Sequence, residues 1–411
     1  MAASANLDAR AHTKKRGLFR RNADPEEVAD RLERMIKRLE KDAVDKLGWK
    51  KDRFIVTLDF HHAAPNVKLT VEPDGEIRVR ATTVGIGPGY HVDVVQRLDH
   101  VLDELEFAWA DSDDYVTHRD VGKLQLAMAT WLAELLHGDD QVTIGMPPEH
   151  VFRVDAPVLT ALGPRDAAWR KAVVADPLRA ADAFAWWQPE GAGHAERASA
   201  LLAMWLEVPW REPLDKVERA LMKRVDAELR IAHKADRELE LPWADWSAML
   251  GYLGVNDKHS DRVRARAGDA KPTIGYRRYD MEVELSGGWT AAIGGGFLSS
   301  WEDDGAKFWA TDGDRSLEFT SITANAAHTS DELLAIAPER FAVVARFDEG
   351  ERRGRAEAQD DSDGVHVVHG LMAEAPHVGI LTCKGKPSDQ PWALATWRSL
   401  TRVAENPDDA Q

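Results

Sequence analysis

The sequence lacks most of the features that identify common protein classes. Its 411 residues contain one cysteine, Cys383, so no intrachain disulfide can form and we expect a reducing, cytoplasmic setting. No window approaches 18 consecutive apolar residues, so we expect no membrane-spanning helix. The motifs GxSxG, HExxH and CxxC and the phosphate-binding P-loop are absent. The sequence therefore predicts no standard catalytic site, no metal ion and no cofactor.

The charge is strongly of one sign. Lys and Arg number 53 against 70 Asp and Glu, which gives a net charge of −17 and argues against broad contact with nucleic acid. The first 22 residues have the opposite balance, because one acid, Asp8, stands among six basic side chains. We expect residues 1–22 to form a basic disordered arm, with docking on an acidic surface as the alternative.

Tryptophan is abundant where other aromatics are not. The chain has 15 tryptophans but only 5 tyrosines. Tryptophan fills cores and is also enriched at protein interfaces, so both readings stay open. If the second holds, the middle of the chain presents a partner-binding surface made of Trp186, Trp187, Trp205, Trp210, Trp243 and Trp246.

The hydrophobic patterning predicts an α+β protein. An amphipathic helix over 25–47 is followed by strands that alternate around the turn Pro73–Gly75, which indicates a hairpin. Thr117 and Asp120 resemble a capping box before a further helix. These elements predict an α+β domain over 23–163 with an antiparallel sheet and helices.

The remainder of the chain changes period twice. Residues 164–255 are helical in pattern, with the longest helix expected over 213–241. Residues 256–272 are polar, contain Gly and Pro and read as a linker in which Arg262, Arg264 and Arg266 alternate, with an anion site at these arginines as the alternative. The period then returns to β, which predicts a third domain over 273–405 and a tail over 406–411.

The third domain resembles the PsbP-like superfamily in the order of its elements. An opening strand ends in Ser286-Gly287-Gly288-Trp289, and the meander SSWEDDGAKFWATDGDRSLEFTS follows. A short helix, long antiparallel strands and a closing helix with Trp397 complete the likeness, which covers about a third of the chain. The resemblance implies an α/β sandwich of sheet and helices and a binding or assembly module. It assigns no catalytic residue.

One glycine-rich turn is a candidate ligand site. GIGPGYH, residues 85–91, places Gly85, Gly87 and Gly89 between a strand and a helix, where backbone N–H groups can meet an anion. The alternative is a sharp turn that needs glycine for structural reasons. At such a site we expect Tyr90 and His91 to be the first exposed side chains.

Asp59 and His61 end the strand before the hairpin. An acid and a histidine two residues apart share one face of a strand, so they are candidates for acid–base chemistry or for ligand contact near the glycine turn. The pair could also act as two metal ligands, but a competent zinc site needs three or four.

We therefore expect a non-enzymatic partner-binding or assembly protein with an acidic, tryptophan-rich surface, either chaperone-like or toxin-neutralising. Its partner is another protein, and the sequence is also compatible with a homo-oligomer. The alternative is an enzyme or a small-anion-binding protein with its site at Gly85–His91, Asp59 and His61.

Overall fold

The chain is an α+β protein, as its patterning predicts. The computed structural model describes residues 6–14, 24–61, 64–111, 114–138, 141–146, 151–302, 305–361 and 364–402.

The N-terminal unit is a six-stranded antiparallel sheet with helices. Its strand order is β2-β3-β4-β5-β1-β6, and β4 and β5 form the expected hairpin. Its elements are β1 (Leu7–Thr13), α1 (Pro25–Leu39), β2 (Val44–Lys50), β3 (Arg53–Leu58), β4 (Val67–Val71), β5 (Ile77–Ala81), α2 (Pro88–Glu104), β6 (Phe107–Asp111), α3 (Asp114–His118) and α4 (Val121–Leu135).

Three expectations for this unit are wrong. Leu7–Thr13 is a strand between β5 and β6, with Leu7, Ala9 and Ala11 buried, and not part of a disordered arm. The first helix ends at Leu39, and Val44–Lys50 is a strand paired with β3. Asp120 alone caps α4, through its side chain and the Lys123 N–H, because Thr117 belongs to the preceding helix. The rest of the expected arm lies outside the described residues.

The middle of the chain is mainly helical. It begins with β7 (Val142–Ile144), β8 (Val151–Phe152), β9 (Val158–Thr160) and β10 (Gly163–Arg165). The helices that follow are α5 (Ala167–Ala175), the 3-10 helix Pro177–Ala183, α6 (His194–Leu206), α7 (Lys216–Ala235), α8 (Trp243–Tyr252) and α9 (Lys258–Ala267). The long helix is thus shorter than the expected 213–241, because Asp215 caps its start through the Glu218 N–H.

The expected linker over 256–272 is wrong, since Lys258–Ala267 is a helix. Asp257 and Ser260 form a capping box, in which each side chain bonds the backbone N–H of the other. Val263 is buried on the inner face of this helix. The helix therefore packs into the middle of the molecule instead of bridging two domains.

The C-terminal part contains two sheets. One has the order β20-β12-β11-β8 and the other β13-β14-β15-β19-β18-β17-β16. The elements are β11 (Asp280–Leu285), β12 (Trp289–Gly294), β13 (Leu298–Glu302), β14 (Lys307–Thr311), β15 (Ser316–Thr323), α10 (Ser330–Ile336), β16 (Ala342–Glu349), β17 (Arg352–Asp360), β18 (His366–Glu374), β19 (His377–Gly385), α11 (Gln390–Arg398) and β20 (Thr401–Arg402).

The hydrophobic cores show how the three parts meet. The core of the six-stranded sheet includes Trp186, Ala198 and Leu202, so the middle helices pack directly on the N-terminal unit. β8 pairs with β11, which joins the middle segment to the C-terminal sheets. Among the helices of the described residues, none has the length and apolarity that crossing a membrane requires.

Candidate functional site

The glycine turn before α2 is filled by the protein's own backbone. The Gly89 N–H donates to the Trp186 carbonyl at 2.9 Å, and the Trp186 N–H donates to the Ile86 carbonyl at 3.0 Å. A Cβ at Gly89 would overlap the Trp186 indole, and one at Gly87 would overlap the same segment. The glycines thus allow a close approach of two backbone segments. The geometry does not support Gly85, Gly87 and Gly89 as an anion cradle.

Tyr90 and His91 are buried, so the expectation that they are exposed is wrong. Each is only 1% exposed. His91 Nδ1 lies 2.9 Å from the Thr83 hydroxyl, which ties it to the chain preceding the turn. The Tyr90 ring lies against His61, with centroids 5.7 Å apart, and against Trp186 at 6.5 Å. Of the two side chains, Tyr90 is the one beside a cleft.

Asp59 and His61 line a cleft between the N-terminal unit and the middle helices, which we call the polar cleft. Its volume is about 340 Å³. The end of β3, helix α2, helix α6 and helix α7 each contribute a wall. The lining residues are Asp59, Phe60, His61, Asp93, Arg97, Trp186, Ala195, Glu196, Ser199 and Glu228. His62 lies outside the described residues.

Burial governs the ionisation of the polar cleft. It lowers the pKa of His61 to about 4, with a smaller effect from the Arg224 guanidinium, so His61 is neutral at neutral pH. Burial also raises the pKa of Glu228, whose Oε1 accepts a hydrogen bond from the Ser199 hydroxyl at 2.8 Å. Arg97 is held by Asp93 at 2.9 Å and Glu40 at 3.1 Å.

A second cleft, of about 760 Å³, lies on the opposite side of α7. We call it the basic cleft. The C-terminal half of α7, the residues after it, the start of α8 and helix α9 enclose it. Its lining residues are Arg230, His233, Lys234, Arg237, Trp243, Trp246, His259, Arg262, Val263, Ala265 and Arg266. The lining thus contains five permanent cations, two histidines and no carboxylate.

Asp226 fixes the wall of the basic cleft from behind. Its Oδ1 accepts from the Trp246 indole N–H at 2.9 Å and lies 3.2 Å from His259 Nε2, while Oδ2 accepts from Arg230 Nε at 2.9 Å. Trp243 stacks on Trp246 with ring centroids 5.4 Å apart. One half-buried carboxylate thereby orients two aromatic rings and one guanidinium.

Four of the cleft's cations have no acidic partner in the described part of the chain. These are Lys234, Arg237, Arg262 and Arg266; the last lies 5.5 Å from the centroid of the Trp243 ring. Burial lowers the pKa of His233, and the positive charges of Arg266, Arg237 and His259 lower it further. A site with this excess of positive charge favours an anionic ligand.

The six nominated tryptophans do not form one exposed surface. Trp186, Trp210 and Trp246 are buried, and Trp187, Trp205 and Trp243 are half-buried. Trp205 packs on Tyr276, and the Trp210 indole donates to the Met204 carbonyl at 3.2 Å. Trp243 and Trp246 line the basic cleft and Trp186 lines the polar cleft. The expected tryptophan-rich surface is therefore wrong, because these side chains serve separate cores and clefts.

Sequence reasoning singles out Arg262 and Arg266 but places them in a linker, and it misses the other cations of the basic cleft, Arg230, Lys234 and Arg237. Arg262 and Arg266 are four residues apart, which places them on one face once the segment is helical. The signal was the capping pair Asp257 and Ser260 at the start of that segment.

Two other kinds of site find no support. Burial raises the pKa of the Cys383 thiol to about 12, which makes it a poor nucleophile. No three His, Cys, Asp or Glu side chains in the described ranges come together as metal ligands.

A scan against protein-family models finds no match for the sequence, and a search of curated proteins finds none.

Proposed function

We propose that this protein is a non-enzymatic binding protein whose basic cleft receives an acidic segment of a protein partner. The observation that carries the proposal is the set of four cations without acidic partners around one cleft, in a chain of net charge −17. Cations kept together without carboxylates repel one another. An anionic partner would remove that repulsion on binding.

The lining favours a partner that is apolar as well as acidic. Trp243, Val263 and the methylene stems of the arginines give the cleft extended apolar walls. Its volume of about 760 Å³ falls within the range of sites that hold a ligand or a few residues of a peptide. Carboxylates alternating with aliphatic side chains would satisfy both features of the lining.

A protein partner is favoured over a nucleic acid by the charge of the rest of the chain. A polyanion contacts an extended basic surface, whereas this cleft is a local basic area in an acidic protein. A short acidic segment needs only the cleft. Single-stranded DNA is therefore the comparison probe of the experiment below.

An enzyme centred on Asp59 and His61 is the weaker proposal. The pKa of His61, about 4, makes its imidazole a poor general base at neutral pH. The glycine turn beside it offers no anion cradle, since Trp186 fills it. The polar cleft is better suited to binding than to proton transfer by His61.

The PsbP-like resemblance and the expected cytoplasmic location are both compatible with a binding function. Residues 273–405 resemble a PsbP-like module, and that resemblance favours an assembly or chaperone-like role. A cytoplasmic location rests on the single cysteine, Cys383.

The test is fluorescence anisotropy of the full chain with a labelled, capped peptide of alternating Glu and Leu. We expect saturable binding that weakens as salt rises. The Arg262→Ala/Arg266→Ala variant should weaken binding at least about tenfold, because it removes two charge-assisted contacts. The control is Arg219→Ala/Arg264→Ala, which removes the same charge from exposed positions on α7 and α9 outside the cleft.

The outcomes separate the alternatives. Equal affinity in the cleft variant and its control would overturn the assignment of the cleft. Tighter binding of an oligothymidine than of the peptide would replace the protein partner by single-stranded nucleic acid. A Lys-for-Glu version of the peptide should not bind, and its binding would contradict an anion-selective cleft.

A further inference from the structure

The polar cleft has a charge of the opposite sign to the basic cleft. Four carboxylates line it, from Asp59, Asp93, Glu196 and Glu228, against one guanidinium, Arg97. His61 is neutral and adds no positive charge. We propose that this cleft is a second binding site, independent of the basic cleft, and that it takes an alkylammonium group.

Most of the acceptor capacity of the cleft is unused. Asp93 pairs with Arg97, and Glu228 Oε1 accepts from Ser199 and lies 4.0 Å from Arg224 Nε. Glu228 Oε2 is buried without a donor. The carboxylates of Asp59 and Glu196 have no hydrogen bond or ion pair in the part of the chain that the structure describes. A positively charged donor would satisfy these oxygens.

Tyr90 supplies an independent indication of a missing partner. It is 1% exposed, and its hydroxyl has no hydrogen-bond partner among the described residues. The Tyr90 ring touches His61 and Trp186, and the carboxylates of Asp93 and Asp59 raise the pKa of Tyr90 beyond the effect of burial, so the side chain packs directly behind residues that line the cleft. Buried hydroxyls are normally hydrogen-bonded. A bound group that donates a hydrogen bond to the phenol oxygen would supply the partner that the Tyr90 hydroxyl lacks among the described residues.

The shape and chemistry of the cleft favour an alkylammonium over other cations. Phe60, Trp186 and Ala195 give it an apolar wall for a methylene chain. The described residues place no three metal-ligating side chains together, which disfavours a divalent metal ion. Arg97 already lies over the Phe60 ring, 5.1 Å from its centroid, so the cleft accommodates a cation beside an aromatic face.

The alkylammonium can come from a free diamine or from a lysine side chain, and calorimetry with the full chain distinguishes these two sources. The probes are 1,5-diaminopentane, acetyl-lysine-amide with a free side-chain amine, and 1,5-pentanediol as the uncharged analogue. We expect one of the two amines to bind saturably and the diol not to bind. Tighter binding of the diamine assigns a free amine, and tighter binding of the lysine derivative assigns a peptide side chain. Absence of binding by both amines, or equal binding of the diol, overturns the proposal.

The variants locate the bound amine. Glu228→Gln keeps the size of the side chain, removes its charge and should weaken binding at least about tenfold, the usual effect of losing a hydrogen bond to a charged group. Glu134→Gln removes one exposed carboxylate from α4, away from the cleft, and should leave the affinity within about twofold. Asp59→Asn is the second variant if Glu228→Gln does not fold. Unchanged affinity in a folded cleft variant would contradict the assignment, whereas the binding of acidic peptide to the basic cleft should persist in both.

Discussion

The two clefts share helix α7 and have opposite electrostatic designs. Glu228 faces the polar cleft, and Arg230 and His233 line the basic cleft. In the polar cleft burial dominates, and it lowers the pKa of His61 to about 4. In the basic cleft the five Lys and Arg side chains are exposed to solvent, and Asp226 holds the wall. The charge of the polar cleft therefore depends on the desolvation of its ionisable groups. The charge of the basic cleft depends on the excess of Lys and Arg over acidic side chains in its lining.

The sharpest test of this difference is the acid stability of the polar cleft. The pKa of His61 is 6.5 unfolded and about 4 folded, so the unfolded state binds more protons between these values. The contribution of neutral His61 to the free energy of unfolding is fully present above pH 6.5. It decreases as the pH falls, and about 3 kcal/mol is lost by pH 4. The wild type should lose that amount relative to His61→Gln in urea unfolding across this pH range. Parallel pH profiles for the two proteins would show that His61 is not desolvated.

The frame of the basic cleft is tested at Asp226. Replacing it with Ala removes the acceptor for Trp246, His259 and Arg230 at once. We expect a loss of about 2–3 kcal/mol in the free energy of unfolding, because partly buried donors lose a charged partner. The control is Asp261→Ala, which removes an exposed acid of α9 whose side chain pairs, within the described ranges, with Arg264 alone. A similar, small cost for both changes would contradict the role of Asp226.

The wall of the polar cleft is tested at Gly89. A Cβ there would overlap the Trp186 indole, so Gly89→Ala should cost about 1–3 kcal/mol and move Trp186. Gly122→Ala in α4 is the matched control, because the nearest atom to its Cβ, Asp120 Oδ1, would lie 3.4 Å away. Thermal unfolding and tryptophan fluorescence measure both effects. Equal melting temperatures for the two variants would show that the Trp186 indole can move without a loss of stability.

The sequence alone predicts part of the wall of each cleft. Alternation and the strand end identify Asp59 and His61, and the helical period identifies α7. Ser199 and Glu228 join Asp59 only because the middle helices pack on the N-terminal sheet, a contact between segments more than 130 residues apart that no local pattern encodes.

The missed elements have local causes. β1 alternates Leu7, Ala9 and Ala11 with polar residues, but alanine is a weak strand signal among basic neighbours. Its pairing with β5, about 70 residues away, decides its conformation. In α9 Val263 is the one large buried apolar residue, so the capping pair was the only strong indication of a helix. Its arginines could not be assigned to a common face without it.

The smallest expected effect distinguishes the histidines of the two clefts. Burial and the charges of Arg266, Arg237 and His259 lower the pKa of His233, and Arg230 and Lys234 line the same cleft. An acidic peptide offsets these charges, so its binding should raise the pKa of His233 and take up a fraction of a proton. The peptide affinity should therefore rise about two- to threefold as the pH falls through the range in which histidine titrates. Calorimetry in two buffers of different ionisation enthalpy measures the proton uptake, and His233→Gln should reduce it. Proton release on binding would contradict this prediction, because it would show that the carboxylates of the peptide do not offset the positive charges around His233.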